Sequence, residues 1–371
     1  MTDWPVKTLG EVCDLVGGGT PSKDRLEFYG GEIPWATVRD LNVEVLRTTE
    51  HSITAEAVKS SSSNIIPAGS VVIATRVGLG KAVKIAQDTA INQDLRGLVV
   101  KKPKELIADY LYWWYLSTVH LVVAAGTGAT VQGVKLPFVS GLAIPVPPLE
   151  EQKRIVGLLD AATARVTELT ACYEQARTHA NNLFSSALRD ALESNPDWPV
   201  KTLGDFCDIY QPQTIGIKDL VADGKYIVYG ANGPIGRYDR FNHGKSEVTV
   251  TCRGATCGTV NVTPPEVWIT GNAMVVRPDE MEMSKEMICY VLEGLDYSRI
   301  ITGAAQPQIT RQTLAPSTIQ IPPLEEQKRI VARLDLMRAK TSEMVVAYDA
   351  KLTAAKNLRQ SILEAAFAGD L

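Results

Sequence analysis

Pro148-Leu149-Glu150-Glu151-Gln152-Lys153-Arg154-Ile155-Val156 recurs letter for letter as Pro323-Leu324-Glu325-Glu326-Gln327-Lys328-Arg329-Ile330-Val331. The segment after each copy sets the architecture. Residues 149–192 contain no proline and one glycine, and are rich in Ala, Glu, Leu and Arg. Pro147 and Pro148 close the preceding segment, and Glu150 and Glu151 suit the positive end of a helix dipole. The apolar positions Ile155, Leu159, Ala162, Val166, Leu169, Tyr173, Ala176, Ala180, Leu183 and Ala187 step by four and three, the period of a coiled-coil seam. About 44 such residues make a rod of roughly 65 Å. After the second copy the seam reads Ile330, Leu334, Met337, Thr341, Met344, Tyr348, Lys351, Ala355, Leu358, Ile362 and Ala365, with Thr341 and Lys351 weakening it. Small residues such as Ala162, Ala176 and Ala180 favour close approach of the two helices. Antiparallel packing is the economical arrangement, the alternative being that each helix lies on its own module.

A second exact repeat marks the start of each module. Asp3-Trp4-Pro5-Val6-Lys7-Thr8-Leu9-Gly10 returns as Asp197-Trp198-Pro199-Val200-Lys201-Thr202-Leu203-Gly204, displaced by 194 residues, whereas the helix-start repeat is displaced by 175. The first module is therefore 19 residues longer than the second, and the difference lies upstream of Gly128/Gly303. One constant scaffold presents two unlike inserts. The expected class is α+β: two mixed α/β modules separated by two long helices in an antiparallel coiled coil, with a pseudo-twofold internal repeat. The divisions fall at 1–148, 149–196, 197–323 and 324–371. The second helix stops at Leu371, the equivalent of Pro196, so the chain ends are expected to lie together.

Composition narrows the function. The chain has 371 residues, is 45% hydrophobic and carries a net charge of −4, enough for two cores and unlike a generic nucleic-acid coat. Basic residues are unevenly spread, with seven between 76 and 104 and four between 237 and 253. Met1-Thr2-Asp3-Trp4 has no secretory character, so a cytoplasmic protein is expected. The uncharged segment 110–126 is shorter than a membrane span, and its counterpart 286–302 carries Glu293, Asp296 and Arg299; it reads as a buried helix. Six cysteines and four histidines form no zinc spacing, although Cys252 and Cys257 lie near one another in sequence. Reduced thiols, and no metal or cofactor, are expected.

Catalytic motifs are missing as well. Gly78-Leu79-Gly80-Lys81 and Gly17-Gly18-Gly19-Thr20 lack phosphate-loop spacing. Asn195-Pro196-Asp197-Trp198 faintly resembles the Asn-Pro-Pro-aromatic loop of adenine methyltransferases, but its twin reads Met1-Thr2-Asp3-Trp4 and no methyl-donor loop accompanies it. A helix stop before a strand accounts for it. His51, His120, His179 and His243 assemble no triad. The expectation is a protein that recognises rather than catalyses. Arg76 and Arg253 leave equivalent β-rich runs into glycine turns, where a guanidinium can meet guanine O6 and N7 or a phosphate, or anchor its own turn. Gln132 and Lys135 in one polar loop, and Gln306, Gln308 and Arg311 in the other, carry groups that read base edges. Arg39, Lys81, Asn92, Asn232, Arg237 and Asn272 add similar chemistry, though a loop amide more often bonds its own backbone.

With the duplicated anchors in place, the chain resembles the specificity (HsdS) subunits of type I restriction–modification systems over essentially its whole length. Trp4-Pro5-Val6-Lys7-Thr8-Leu9-Gly10, Ile33-Pro34-Trp35, the segment Tyr229-Gly230-Ala231-Asn232-Gly233-Pro234-Ile235-Gly236 and the Leu-Glu-Glu-Gln helix starts carry the resemblance. It implies two target-recognition domains, each reading one half of an asymmetric bipartite target in double-stranded DNA, with the helices acting as a ruler. It also implies docking of two methyltransferase (M) subunits, and of restriction (R) subunits where present, which perform the chemistry. Leu149, Glu150, Arg154, Leu324, Glu325 and Arg329 at the paired helix starts are the candidate partner contacts. The modules are nearly neutral (first) and acidic (second), so tight DNA binding is expected to need the methyltransferase subunits. Two other classes compete: a non-catalytic assembly or scaffold protein with two ligand-binding modules, and a free-standing methyltransferase.

Overall fold

The computed structural model describes residues 4–128, 132–193, 195–303 and 306–370, without the side chain of Ile217. The chain forms two compact units, one of Met1–Tyr173 with Lys351–Leu371 and the other of Glu174–Ala350. Each unit therefore holds one module together with a stretch of both long helices, Leu149–Ala191 and Leu324–Ala368.

In the first unit a five-stranded sheet runs in the order Cys13–Gly17, Leu95–Val100, Val71–Ala74, Ala82–Ile85, Val45–Leu46. All four residues of Val71–Ala74 are buried, as a strand covered on both faces requires. A four-stranded sheet orders His51–Ile53, Tyr29–Ala36, Thr89–Ile91 and Asn64–Ile66. The uncharged segment is a buried helix, Ala108–Ser117, in which Tyr110 to Tyr115 are all inaccessible. Val119–Ala124 continues the helical path after a break at Thr118. Two of its aromatic donors are satisfied from elsewhere: Tyr110 OH donates to the Pro145 carbonyl (2.9 Å), and Trp113 Nε1 to Asp160 of the first long helix (2.8 Å).

The second unit repeats the plan with fewer strands. Cys207–Tyr210, Ala273–Pro278, Val248–Thr251 and Val260–Val262 form one sheet, and Pro234–Tyr238, Tyr226–Tyr229 and Val267–Ile269 another. In the counterpart of the uncharged segment the helix spans Lys285–Gly294. Cys13/Cys207 lie 194 residues apart and Arg76/Arg253 177 apart, so most of the length difference falls between those points. There the first unit carries the strand Val45–Leu46 and the helix Ala55–Lys59.

Both repeats have a physical reason. Val6–Thr8 pairs antiparallel with Ala143–Pro145, and Val200–Thr202 with Thr318–Gln320. The Thr8 amide donates to Glu11 (2.6 Å) and the Thr202 amide to Asp205 (2.8 Å), so each strand turns into a capped helical turn. Lys7 bonds Glu105 at 2.9 Å and Lys201 bonds Glu282 at 2.7 Å. In the helix-start repeat the glutamine is the key residue, fully buried in both copies. Gln152 Nε2 donates to the carbonyls of Glu105 (2.7 Å) and Pro147 (2.8 Å), while its Oε1 accepts from the Ile107 amide (3.0 Å). Gln327 donates to the carbonyls of Glu282 and Pro322 (both 2.8 Å) and accepts from the Ser284 amide (2.8 Å). Each amide ties the helix start to a chain segment more than 40 residues away in sequence.

The buried stripe of each long helix differs in phase from the sequence reading. Ile155, Leu159, Val166, Ala180 and Ala187 are buried as expected, but Leu169 and Leu183 are each 46% exposed. Thr170, Arg177 and Phe184 are half-buried instead. Arg177 bonds Asp349 at 3.0 Å, and the Phe184 ring joins the second unit's core. On the other helix Leu352 and Leu363 are buried where Lys351, Leu358 and Met344 are exposed. Both four-three series fit the same spacing, and the larger Phe184, packed against the second unit's core, favours the one observed, while the exposed Arg177–Asp349 pair adds little.

Within the first unit Leu363 and Ala366 share a core with Ile155 and Leu159, so the end of one long helix meets the start of the other. Within the second unit Ala187 and Leu188 share a core with Ile330 and Leu334. Locally, each pairing is antiparallel. Asp3 and Leu371, named in the expectation for the chain ends, lie outside the described residues; their neighbours Trp4 and Phe367 pack into one core.

Candidate nucleic-acid interface

In each unit a polar loop is laced to the end of a central strand by the same backbone bonds. The Val134 amide donates to Thr75 O (2.9 Å) and the Val77 amide to Gln132 O (3.1 Å). In the second unit the Ile309 amide donates to Cys252 O and the Gly254 amide to Pro307 O, both at 3.0 Å. The loops close on themselves through reciprocal bonds, Thr127 with Gly133 and Thr302 with Gln308, all 2.9 Å. This frame sets the two strand-end arginines opposite their loops, Arg76 bridged to Gly133 and Arg253 to Gln308.

The structure thus brings Arg76 and Gln132 together in one unit, and Arg253, Gln306 and Gln308 together in the other. Asn272 belongs to the second group, since its carbonyl accepts from the Cys252 amide at 3.0 Å. Asp94 takes that place in the first unit, accepting from the Thr75 and Arg76 amides. Lys135 and Arg311 follow the loops at the starts of the short helices Leu136–Ser140 and Arg311–Leu314. Arg39, Gln132, Lys135, Arg253, Asn272, Gln306, Gln308 and Arg311 are exposed, and among the described residues none makes a side-chain hydrogen bond or ion pair.

The remaining predicted residues are engaged internally. Asn92 is 8% exposed, with its side chain turned onto Asp94. Lys81 donates to Asn42 (2.6 Å), and Asn232 accepts from Asn261 (2.9 Å). Arg237 holds the carbonyls of Gly224 and Lys225. Arg76 is intermediate: its Nε stands 3.9 Å from Asp94, a loose surface pair contributing little. The helix-start residues Glu150, Arg154, Glu325 and Arg329 are exposed, with Arg154 bound to Glu151 at 2.8 Å and Arg329 to Glu326 at 3.4 Å on the same helix. Leu149 is half-buried and Leu324 is 41% exposed.

Two clefts involve residues that sequence reasoning passed over. In the first unit a cleft of about 600 Å³ is lined by Tyr29, Trp35, Val38, His51, Val77 and Asp94, together with Arg39 and Asn92. The signal for it is weak, since these residues come from separated segments with no common spacing. In the second unit a cleft of about 780 Å³ includes Tyr210, His243, Lys245, Glu247, Arg277 and Lys285. A chain of bonds runs through it: Arg277 to buried Glu247 (2.5 Å) and to Tyr210 OH (3.0 Å), Tyr210 OH to His243 Nε2 (2.9 Å), and His243 Nδ1 to Asn242 (2.6 Å). Burial lowers the His243 pKa, and Glu247 beside Arg277 raises that guanidinium's.

Electrostatics elsewhere are structural. Lys102 and Lys7 hold Glu105 down to about 2, while burial pushes the Cys13 and Cys207 thiols up to about 12. Among the described residues no group of three His, Cys, Asp or Glu side chains could hold a metal ion, and no helix is long and apolar enough to cross a membrane.

Comparison with known proteins agrees with this plan. The EcoR124I/EcoR124II specificity subunit of Escherichia coli is 34% identical over 172 residues, a match covering 44% of this chain and 42% of that one, so the chain spans about two fifths of the relative's length there. The EcoprrI specificity subunit of Escherichia coli is 25% identical over 368 residues, covering 94% of this chain and 91% of its own. A solved chain from work on complex assembly and conformational transition of the type I R-M system superposes with a TM-score of 0.84 at 23% identity, covering 99% of this chain and 98% of that one. The family model for the type I restriction modification DNA specificity domain matches twice, over residues 1–176 and 195–345, and the chain belongs to that family.

Proposed function

We propose that this chain is the non-catalytic DNA sequence-recognition subunit of a type I restriction–modification complex. Its recognition domains, 1–148 and 197–323, each read one half of an asymmetric bipartite target in double-stranded DNA. The helical segments 149–196 and 324–371 set the spacing of the halves. Two methyltransferase subunits dock on the paired helix starts, around Leu149, Glu150 and Arg154 and around Leu324, Glu325 and Arg329, and restriction subunits join where they are present.

One observation carries this reading. A single backbone frame, bond for bond alike in both units, displays Arg76 and Gln132 in one and Arg253, Gln306 and Gln308 in the other. A constant frame with exchanged, exposed donors and acceptors suits the reading of two different half-sites, because guanidinium and amide groups distinguish guanine and adenine edges in the major groove. The paired helix starts, alike in sequence, suit two copies of one partner. Arg253→Ala tests the assignment. In the assembled complex it relaxes or abolishes recognition of one half of the target, at about 1–3 kcal/mol per lost base contact. Equal loss at both halves overturns it.

A further inference from the structure

The two reading loops differ at one backbone position that their shared frame makes equivalent. The Val77 amide bonds Gln132 O as the Gly254 amide bonds Pro307 O. Both residues have left-handed backbones, φ 48° at Val77 and φ 88° at Gly254. Glycine enters that region freely, whereas a β-branched side chain is crowded by its own backbone there. Glu266, with φ 53°, is the only other non-glycine residue so placed among the described residues. Core packing does not offset the strain at Val77, whose side chain is 49% exposed. The frame requires the left-handed backbone but not the valine, since Gly254 closes the same loop in the second unit without a side chain to crowd.

What the valine adds is an exposed apolar group next to Arg76 in the chain, at a residue whose amide bonds Gln132 O and which lines the first unit's cleft together with Val38. In the major groove of B-DNA the 5-methyl group of thymine is the apolar mark among polar base edges. We propose that Val77 determines specificity by contacting the 5-methyl group of a thymine in the first unit's half-site, a contact that Gly254 leaves out of the second. This rests on the DNA-recognition function proposed above. The backbone strain is held where it aims a side chain at the ligand.

The test uses the complete complex with its methyltransferase subunits, on duplexes carrying the target found by methylation mapping. Each thymine, on either strand, is replaced in turn by deoxyuridine, which removes only the methyl group. The wild-type complex loses about fourfold in kcat/KM at one position of the first half-site, the value of burying one methyl-sized group. Val77→Gly brings the thymine duplex to the same level, no longer distinguishes uracil at that position, and keeps full discrimination at the second half-site. Its melting temperature does not fall. The inference is overturned if no thymine of the first half-site is sensitive to its methyl group, or if Val77→Gly retains the uracil penalty. It is also overturned if Val77→Gly loses activity on every duplex together with a lowered melting temperature, which marks a folding role. A split target without a methyl-sensitive position removes this inference alone, whereas no split target at all removes the function beneath it as well.

Discussion

Replacing Gln152 or Gln327 by leucine removes the tie between a helix start and its module while nearly preserving side-chain volume. Each amide makes three hydrogen bonds from a fully buried position. The substitution deletes all three and leaves two carbonyls and one N–H facing an apolar group. At a net 0.5–1.5 kcal/mol per bond, with further cost for stranded buried partners, the loss is about 3–4 kcal/mol. For a unit of this size that corresponds to a melting-temperature drop of roughly 10 °C. The effect is local to a unit, so calorimetry on Gln152→Leu shows a downward shift in the transition of the first unit and Gln327→Leu in that of the second. Hydrogen exchange supplies the residue-level readout: the Ile107 amide loses protection in the first variant and the Ser284 amide in the second. A shift below about 2 °C with both amides still protected would refute the claim that these glutamines clamp the helix starts.

The same structure carries three further expectations. Burial keeps the folded pKa of His243 below its ordinary value of 6.5, so its contribution is present above about pH 6.5 and is lost as pH falls through the folded value. The stability of the second unit to urea should decrease as pH falls from 7.5 to 5.5, and His243→Gln should flatten that dependence; an unchanged slope contradicts it. Cys172 is exposed, whereas Cys13 and Cys207 are buried with thiols raised to about 12, so iodoacetamide at pH 8 should label Cys172 first and spare the other two until unfolding. Mass spectrometry of the labelled peptides decides this, and early labelling of Cys13 or Cys207 contradicts the burial. The isolated chain, at net charge −4, should bind target DNA weakly and gain tight binding only with methyltransferase subunits. Nanomolar sequence-specific gel shifts by the chain alone would exclude that.

The scaffold was legible because it is written twice. Val6-Lys7-Thr8-Leu9 and Leu149-Glu150-Glu151-Gln152 each perform one local task, strand pairing with a capped turn and a buried amide clamp, and that task fixes the letters wherever it recurs. The phase of the long-helix seam was not legible. Leu169 and Leu183 fit a four-three series as well as Thr170, Arg177 and Phe184 do, and only the aromatic anchor Phe184 separates the two. Arg76 and Arg253 could be found because they end equivalent strands. Whether a loop residue points to solvent or to its own backbone could not: Arg237 and Asn92 have the same chemistry as Arg253 and Asn272 but are bonded internally. Val77 carried no signal at all, since its left-handed backbone appears only once the loop frame is built. The clefts were hidden for a similar reason, as Trp35, His51 and Asp94, or Tyr210, His243 and Arg277, meet only through the sheets.

The proposed function stands or falls on one constant scaffold carrying two different readers of DNA. Single-molecule sequencing of adenine methylation is the decisive test, in cells carrying this chain with a partner methyltransferase and in matched cells lacking the chain. A split, asymmetric methylated motif should appear only when the chain is present. An active, soluble pair that leaves no such motif, or a motif that persists without the chain, would contradict it.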